Sequence, residues 1–568
     1  MEKMKIFSEG EKSIPVGIDL GTTNTAVAVL GNRGVPSIIP MYEHKVTLPS
    51  CVMWDSKTDT YIVGEEAYKH RYKSNTTYSV KRLMGSDKTI TLVDGDKQKV
   101  VTPVEMSAEI LKEAVRKASR DYGNIKDVVI TVPAYFGDKQ VSDTEKAGKL
   151  AGLNVLKIFR EPTAASLFYA KQNEKKSSKI LIYDLGGGTF DITLVNIIQR
   201  NPCKELDDFY DFKFNNKSDN SGQTILSVLK TDGDTHLGGD DIDNELLDIL
   251  LNRIKEKGYD INLFTREQIE ELRLKMESKK KDGSAAYQIS LKYALKDGSN
   301  IDDYIDIYPA DFANATMKIY NKSRKIMKRV LSDVNIQELD AIVLVGGSTK
   351  SIYIKEFLKR DFPNTIINDA LNPDEAVALG ASIEAKRLKF NDLSMQVYDV
   401  LPLAIGVLAD GKIQKVIQQN QSVPYAKSSV YSTTVDNQKE IKVCIYQGNS
   451  VFPEECTYLG HLVIDNLEPK PAGEAKIIVN LSVNANGLLK VSVSIDDKLK
   501  EVTLTNLFAS KDKIEKPKSI NKNSRKLNRW REFAKSLDNP SELNSLLDKF
   551  EKGEVDQNVI INYIKNIK

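Results

Sequence analysis

The sequence predicts a multi-domain protein in which an α/β region is followed by an all-β region and a short helical end. Three observations carry this expectation. Short β-branched runs alternate with amphipathic helical segments from about residue 14 to 390, and the pattern changes to period two after about residue 400. One strand-and-turn motif is also stated twice, as "GIDLGTTN" at 17–24 and "YDLGGGTFD" at 183–191. At 568 residues the chain exceeds what one core supports, and 41% apolar residues are enough to bury several.

In the α/β region, "PVGIDLG", "VVITVPA", "KILIYDLGGG" and "AIVLVGG" are apolar runs ending in Gly or Pro, which read as strands. The segment 105–120, "EMSAEILKEAVRKASR", repeats Met106, Ile110, Leu111 and Val115 at helical spacing and predicts a helix packed on a sheet. In the all-β region three runs alternate: Ile441, Val443 and Ile445; Ile477, Val479, Leu481 and Val483; Val491, Val493 and Ile495. The turn "NANG" joins two of these runs, so the strands are expected to be antiparallel.

The stretch "FNDLSMQVYDV", 390–400, falls where one pattern gives way to the other and reads as a connecting segment. The predicted division is therefore 1–390, a linker at 391–400, 401–508 and 509–568. In the last part, residues 511–535 carry ten Lys or Arg against three Asp or Glu, which a solvated helix face explains as well as an acidic partner does. "NPSEL" offers Asn539 as N-cap, Pro540 at N1 and Glu542 at N3 of a helix striped by Leu543, Leu546, Leu547 and Phe550. Gly553 can stop it, and Val559, Ile560, Tyr563, Ile564 and Ile567 repeat the stripe in a last helix.

Composition excludes several classes. Lys and Arg (81) nearly balance Asp and Glu (79), which argues against a generally basic nucleic-acid binder. No apolar run has the length of a signal peptide or a spanning helix, so a cytoplasmic protein without membrane association is expected. The four cysteines, Cys51, Cys203, Cys444 and Cys456, lack C-x2-C pairing and are too sparse for a disulfide framework, so they read as reduced thiols.

In both copies of the repeated motif an apolar strand delivers an Asp and then a Gly turn bearing hydroxyls. These are Asp19, Gly21, Thr22 and Thr23 in one, and Asp184, Gly186, Gly187, Gly188 and Thr189 in the other. Glycine lets backbone N–H groups approach phosphate oxygens, threonine adds donors, and a strand-end carboxylate can hold a hydrated magnesium ion. Each turn taken singly is explained as well by an ordinary β-turn. Together they point to a nucleotide clamp with two lobes, and the absence of G-x4-G-K-[ST] argues against a P-loop. A third strand ends in "LVGGSTK", where Gly346 and Gly347 can pass beneath a ring or sugar, a strand-to-helix turn being the alternative. Glu277 and Lys280 share a helix face, and a surface ion pair between them is the plain expectation.

Six stretches, "GIDLGTTNTAV", "VVITVPAYF", "YDLGGGTFDITLV", "GDTHLGGDDID", "VLVGGSTK" and "NPDEAVALGAS", resemble the signature stretches of the 70-kDa heat-shock chaperone family, and they occur in the family's order. The β region resembles the family's through "DVLPLAIGV", "YSTTVDNQ", "IYQGN" and "VNANGLLKVSV", so the likeness covers about 14–508. It implies an actin-like ATPase domain of two RNase H-like lobes, a linker, a β-sandwich gripping extended apolar peptide, and a short α-helical lid. The implied activity is ATP hydrolysis to ADP with magnesium and potassium, coupled to peptide binding and protein folding under stress. The implied partners are unfolded polypeptide, a J-domain co-chaperone and a nucleotide exchange factor, acting on a monomer.

By motif match the resemblance places Asp19, Thr22, Thr23, with Gly21 and Asn24, in a first phosphate loop, and Asp184 with Gly186, Gly187, Gly188 and Thr189 in a second. Asp19, Asp184 and Asp191 belong around magnesium and the attacking water, Lys81 in "SVKRLMG" positions that water, and Glu161 in "EPTAA" serves the same centre. Gly238, Gly239, Glu277, Lys280, Ser284, Gly346, Gly347, Ser348, Lys350 and Asp374 are implied for the nucleotide, chiefly its adenosine. Val407, Tyr431, Ile441, Val443, Ile477 and Val479 match the peptide groove, although alternation alone reads them as sheet core. Pro133 and Asp399 match the relay from nucleotide to peptide.

The chain departs from the family at several points. The linker reads "MQVYD" in place of leucines before an acid, the family's relay arginine is Val141, and the asparagine before the glutamate is Arg160. Residues 200–224 read as a polar insertion, the region between Lys81 and "MSAEIL" is short, and "VLADGK" offers no methionine to arch over a peptide. The lid, 509–568, is short and lacks the family's acidic tail, which predicts faster peptide release. Two further readings stand beside the chaperone: a sugar or acetate kinase of the actin-like kind, and an assembly factor or co-chaperone with weak ATPase and weakened coupling.

Overall fold

The four apolar runs form strands Val16–Leu20, Asp127–Val132, Ser178–Leu185 and Ala341–Val345 in the computed structural model. The structure describes residues 13–503 apart from 32–33, 174–176, 201–222, 282–284, 337, 393, 466, 485–486, 488 and 496–497. Beyond these it describes 541–551, Arg531, Ala534, Ile560 and Tyr563. Ser284, Cys203, most of the predicted insertion and of the basic stretch, Asn539, Pro540, Gly553, Val559, Ile564 and Ile567 lie outside the described residues.

The chain divides into two units. The first comprises Met1–Ala404, Ile417–Ser428 and Asn480–Lys490; the second comprises Ile405–Val416, Ser429–Val479 and Val491–Lys568. The first unit holds two large sheets with the same local order at their centres. In one, Val16–Leu20 lies between Asp127–Val132, parallel, and Asn24–Leu30, antiparallel, with Asn154–Arg160 beyond the former. In the other, Ser178–Leu185 lies between Ala341–Val345, parallel, and Phe190–Arg200, antiparallel.

Helices Glu161–Gln172 and Ala376–Phe390 fill the space between these sheets. Their apolar residues join one cluster with Ala26, Ala28 and Val129 of the first sheet and Ile180, Ile182 and Val195 of the second. Both helices are buried nearly all round, so they lack the polar stripe of a surface helix. Small residues set the approach: a Cβ on Gly380 would stand 1.8 Å from Ala164 O, and one on Gly17 would stand 2.2 Å from Ser382 N. The helix expected at 105–120 spans Pro103–Tyr122, starts on a Thr102/Glu105 capping box, and buries Met106, Ile110 and Leu111.

The segment expected to connect the two regions does more than connect. Met395–Val400 forms a strand of the second sheet, parallel to Gln223–Asp234 with Thr224 opposite Met395 and Ser227 opposite Tyr398. It is the alternation of Met395 and Val397 against Gln396 and Tyr398 that lets it add to an existing edge.

The period-two runs form strands Ile441–Gln447, Ile477–Val483 and Leu489–Ile495 in two four-stranded sheets. One runs Lys412–Ile417, Ile405–Ala409, Ile441–Gln447, Thr457–Ile464; the other runs Tyr425–Tyr431, Ile477–Val483, Leu489–Ile495, Lys498–Thr503. Burial alternates cleanly along Ile477–Val483 but not along Ile441–Gln447, because Cys444 and Tyr446 pack with Ile413 on the opposite face. Among the described residues Cys51, Cys444 and Cys456 are free cysteines. Helix Ser541–Glu551 buries Leu543 and Leu547 against Ala534 and Ile560, with Leu546, Phe550 and Tyr563 beside them. No helix among the described residues is long and apolar enough to cross a membrane.

Candidate functional site

The two Gly-Thr turns lie at the ends of the central strands of the two sheets, and both open into one cleft of about 490 Å³ within the first unit. Asp19, Gly21, Thr22, Thr23 and Asn24 line it from one side, and Asp184, Gly186, Gly187 and Thr189 from the other. The turns are close enough that a Cβ on Gly187 would stand 2.0 Å from Thr23 Oγ1. The second turn is held from behind by the start of helix Gly239–Glu256, where Gly239 N donates to Gly186 O at 2.9 Å and Asp240 N to Gly187 O at 2.7 Å.

Lys81 sits at the junction and is nearly buried. Its Nζ donates to Glu161 Oε1 at 2.5 Å. Burial works against the charge of Lys81, but Glu161, Asp19 and Asp184 outweigh it and hold the ammonium's pKa above its ordinary value. The carboxylates show the opposite balance. Burial, with Glu161 nearby, raises Asp19 and Asp191 to about 7, and burial with the charges of Glu161, Asp191 and Asp19 raises Asp184 well above the carboxylate range.

These groups do not share the same hydrogen bonds. Thr131 Oγ1 donates to Asp19 at 3.0 Å, and Asp191 accepts from Ala134 N and Tyr135 N at 3.1 and 3.0 Å. Asp184 Oδ2 is buried and finds no hydrogen-bond partner among the described residues. Four carboxylates around one ammonium, with one oxygen orphaned, make a site that favours a cation. Among the described residues no three His, Cys, Asp or Glu side chains converge as direct ligands, so the donor set suits a magnesium ion that keeps its waters.

Glu277, Lys280, Gly346, Gly347, Ser348, Lys350 and Asp374, all expected from sequence, also line the cleft. Ser348 Oγ donates to Gly186 O at 2.8 Å, which ties the third Gly turn to the second, and Lys350 pairs with Asp374 at 2.5 Å. The expected pair between Glu277 and Lys280 does not form. Glu277 bonds Arg71 at 2.8 Å and the Tyr68 hydroxyl at 2.9 Å, while Lys280 bonds buried Asp243 at 2.7 Å and Gly239 O at 2.8 Å. A helix face brings two residues together, but buried partners from other elements compete more strongly than a neighbour exposed to water.

Four expected residues do not line the cleft. Asp191 points to the turn at Pro133–Phe136, and Arg82 and Thr22 cover Gly188, whose Cβ would stand 2.4 Å from Arg82 Nε. Gly238 and Gly239 support the second turn from behind. Pro133 O accepts from Arg160, and Asp399 accepts from Thr163 Oγ1 at 3.1 Å. Val141, the departure beside the relay, is buried in helix Asp138–Leu150. Sequence reading missed Thr131, Asp240, Asp243 and Lys281, and the lining residues Ile242, Phe312 and Thr316. Their signal was faint, since a single Asp or Thr in a helix or strand carries no spacing.

In the second unit, Val407, Ile441, Val443, Ile477 and Val479 are buried and Tyr431 is half-exposed. Val407 faces Ile445 across its ladder, so the geometry of these residues is that of a sheet core, and their peptide role rests on the resemblance.

The family model described as Hsp70 protein matches residues 15–200 and 220–562. The chain is similar to chaperone protein DnaK of Mycoplasma mobile, 34% identical over 504 residues, covering 86% of this chain and 78% of that protein. It is 35% identical over 526 residues to chaperone protein dnaK of Cyanidioschyzon merolae, covering 87% and 82% of the two chains. It is 36% identical over 535 residues to chaperone protein dnaK of Cyanidium caldarium, covering 88% and 82%.

Proposed function

The chain belongs to the Hsp70 family, and from that membership we propose that its first-unit cleft is the ATP-hydrolysing centre and that nucleotide state governs its grip on extended apolar polypeptide. As a member it is an ATP-dependent molecular chaperone and an ATPase. The finer architecture in this reading is an actin-like ATPase domain of two lobes at 1–390, a linker at 391–400, a β-sandwich at 401–508 and a short helical lid at 509–568.

The observation that carries the site assignment is the meeting of both Gly-Thr turns at a buried Lys81–Glu161 pair, beside the orphaned oxygen of Asp184. Magnesium, when bound, supplies the charge that neutralises phosphate oxygens; Asp19 and Asp184 line the cleft and are the residues that would hold its waters, with Asp191 opposite Asp184 on the adjoining strand adding negative charge from behind. Thr22, Thr23 and Thr189 add donors, and the backbone at Gly21, Gly186 and Gly187 lets N–H groups reach oxyanions.

Lys81 keeps its proton and orients the attacking water, and Glu161 fixes the lysine. Positioning and electrostatics suffice here, since phosphoryl transfer asks for little covalent chemistry from the protein. The adenosine is assigned to Glu277, Lys280, Ser284, Gly346, Gly347, Ser348, Lys350 and Asp374. Peptide is assigned to Val407, Tyr431, Ile441, Val443, Ile477 and Val479, held by backbone bonds with an apolar pocket near Ile441.

Potassium as a second cation, a J-domain co-chaperone, a nucleotide exchange factor, a monomeric state and a cytoplasmic location complete the proposal. The purified protein should hydrolyse ATP slowly and respond to a J-domain protein and to apolar peptide. Absence of hydrolysis under all three conditions would overturn it.

A further inference from the structure

Beside the nucleotide cleft the first unit holds a second cavity, of about 510 Å³, that no step of the proposed reaction uses. One wall is residues 68–72, at and just after the short helix Glu65–Lys69; the other is helix Arg266–Lys280 with strand Tyr287–Ala294. Lys69, Arg71, Lys275, Lys279 and Lys281 line it, with Glu271 as the one acid among the lining residues. Lys and Arg (81) nearly balance Asp and Glu (79) over the whole chain, so this hollow is a local departure in charge.

The five cations are unequally committed. Lys275 is spent on Glu271 at 3.0 Å, the Tyr293 hydroxyl at 2.9 Å and Ser290 O at 3.1 Å. Arg71 gives one donor to Glu277 at 2.8 Å and one to Tyr68 O at 2.9 Å, and Lys281 stands 3.4 Å from the same Glu277. Lys69 reaches Glu66 at 3.4 Å, between two exposed side chains. Lys279 has no carboxylate partner among the described residues and lies over the Tyr287 ring at 4.7 Å. Positive charge is left in excess on both walls.

We propose that this hollow is an anion site for a short polyphosphate chain, filled independently of the nucleotide cleft, and that an anion seated there draws the two walls together and slows nucleotide release. The effect on release rests on the reading of the neighbouring cleft as the nucleotide's; the anion site does not. Phosphate suits the wall, because a guanidinium matches two oxygens of one phosphate and lysines act as point charges along the chain. An acidic peptide spreads its charges along an extended backbone on flexible side chains, whereas polyphosphate sets them on adjacent units, which fits cations grouped in one cavity. Lys281 lines both cavities, so an anion in the hollow also reaches the rim of the cleft.

The probe is inorganic tripolyphosphate, added as its magnesium salt to the full chain saturated with ADP, with calorimetric affinity and the ADP release rate as readouts. The native chain should bind it at a single site, lose affinity as KCl rises, and release ADP several-fold more slowly with the anion present. Lys69→Ala/Lys279→Ala should weaken binding by roughly tenfold or more and restore the release rate seen without the anion, with ATP hydrolysis unchanged. Glu271→Gln removes the acid and frees Lys275, and should tighten binding several-fold. A merely structural role for these side chains would not move affinity in opposite directions.

Native affinity in the double variant would overturn the site. So would a tripolyphosphate affinity that falls in proportion to added ADP, which would put the anion in the nucleotide cleft, or tighter binding of an oligoglutamate peptide, which would make the hollow a docking surface for acidic protein. An ADP release rate indifferent to the bound anion would overturn its effect on the cleft. If the chain binds no ADP, the reading of the cleft fails, and tripolyphosphate titrations of the native chain and the variants still decide the anion site.

Discussion

Asp19 and Asp184 end equivalent strands in sheets of the same local order, yet their surroundings differ. Ile18 faces Ile130 on the parallel neighbour, so Asp19 falls beside Thr131, whose hydroxyl bonds it. Asp184 faces Val345 at the matching place, which offers no donor. Across the antiparallel ladder Asp19 meets Ala26, while Asp184 meets Asp191, a second carboxylate. The repeat in the sequence is thus a repeat of backbone, and the two halves divide the chemistry. The first half gives its carboxylate a hydroxyl donor, and the second sets two carboxylates opposite each other, one of them with an oxygen that finds no donor among the described residues.

Charge removal should separate the two halves most sharply. Asp184→Asn should lower magnesium-dependent hydrolysis by about a hundredfold, and Asp19→Asn by clearly less, in single-turnover rates at saturating ATP. Equal losses would mean that the halves are equivalent after all. A smaller effect should come from transplanting the hydroxyl. Val345→Thr gives Asp184 the donor that Asp19 already has, and should raise the magnesium concentration for half-maximal hydrolysis several-fold, since one neutral hydrogen bond contributes about 1 kcal/mol. No change in the magnesium titration would show that Asp184 Oδ2 faces away from the ion.

The smallest effect concerns the ion pair between the halves. Burial pushes the Glu277 carboxyl up, and Arg71 and Lys281 outweigh it, leaving it at about 2. A carboxylate whose folded value is depressed adds stability that is present above its unfolded pKa and is lost as pH falls toward the folded value. The Tm difference between native protein and Glu277→Gln should therefore be largest near neutral pH and shrink from about pH 4.5 toward about pH 2. A difference independent of pH would assign it to packing.

Much of this was legible in the sequence because apolar runs ending at Gly report strands directly, and the echo of Asp-Leu-Gly reports two strands of one kind. What stayed hidden depends on partners brought from a distance. Glu277 and Lys280 share a helix face, but Arg71 and Asp243 come from other elements to claim them. Gly188 carries the right residue type for a phosphate turn, and only the fold reveals Arg82 lying over it. Met395–Val400 looks like a connector because its neighbour, Gln223–Asp234, lies far back in the chain. The helix Ala376–Phe390 has no amphipathic stripe to find, since it is buried between two sheets.

In the proposed mechanism both halves act on one reaction through Lys81, the ammonium they share. Single-turnover ATP hydrolysis and ATP affinity, measured side by side for the native chain and for Lys81→Ala, test it most directly. Lys81→Ala should lose nearly all hydrolysis and keep nucleotide binding, because the role proposed for the lysine is on water and not on adenosine. Equal hydrolysis rates in the two proteins would contradict it.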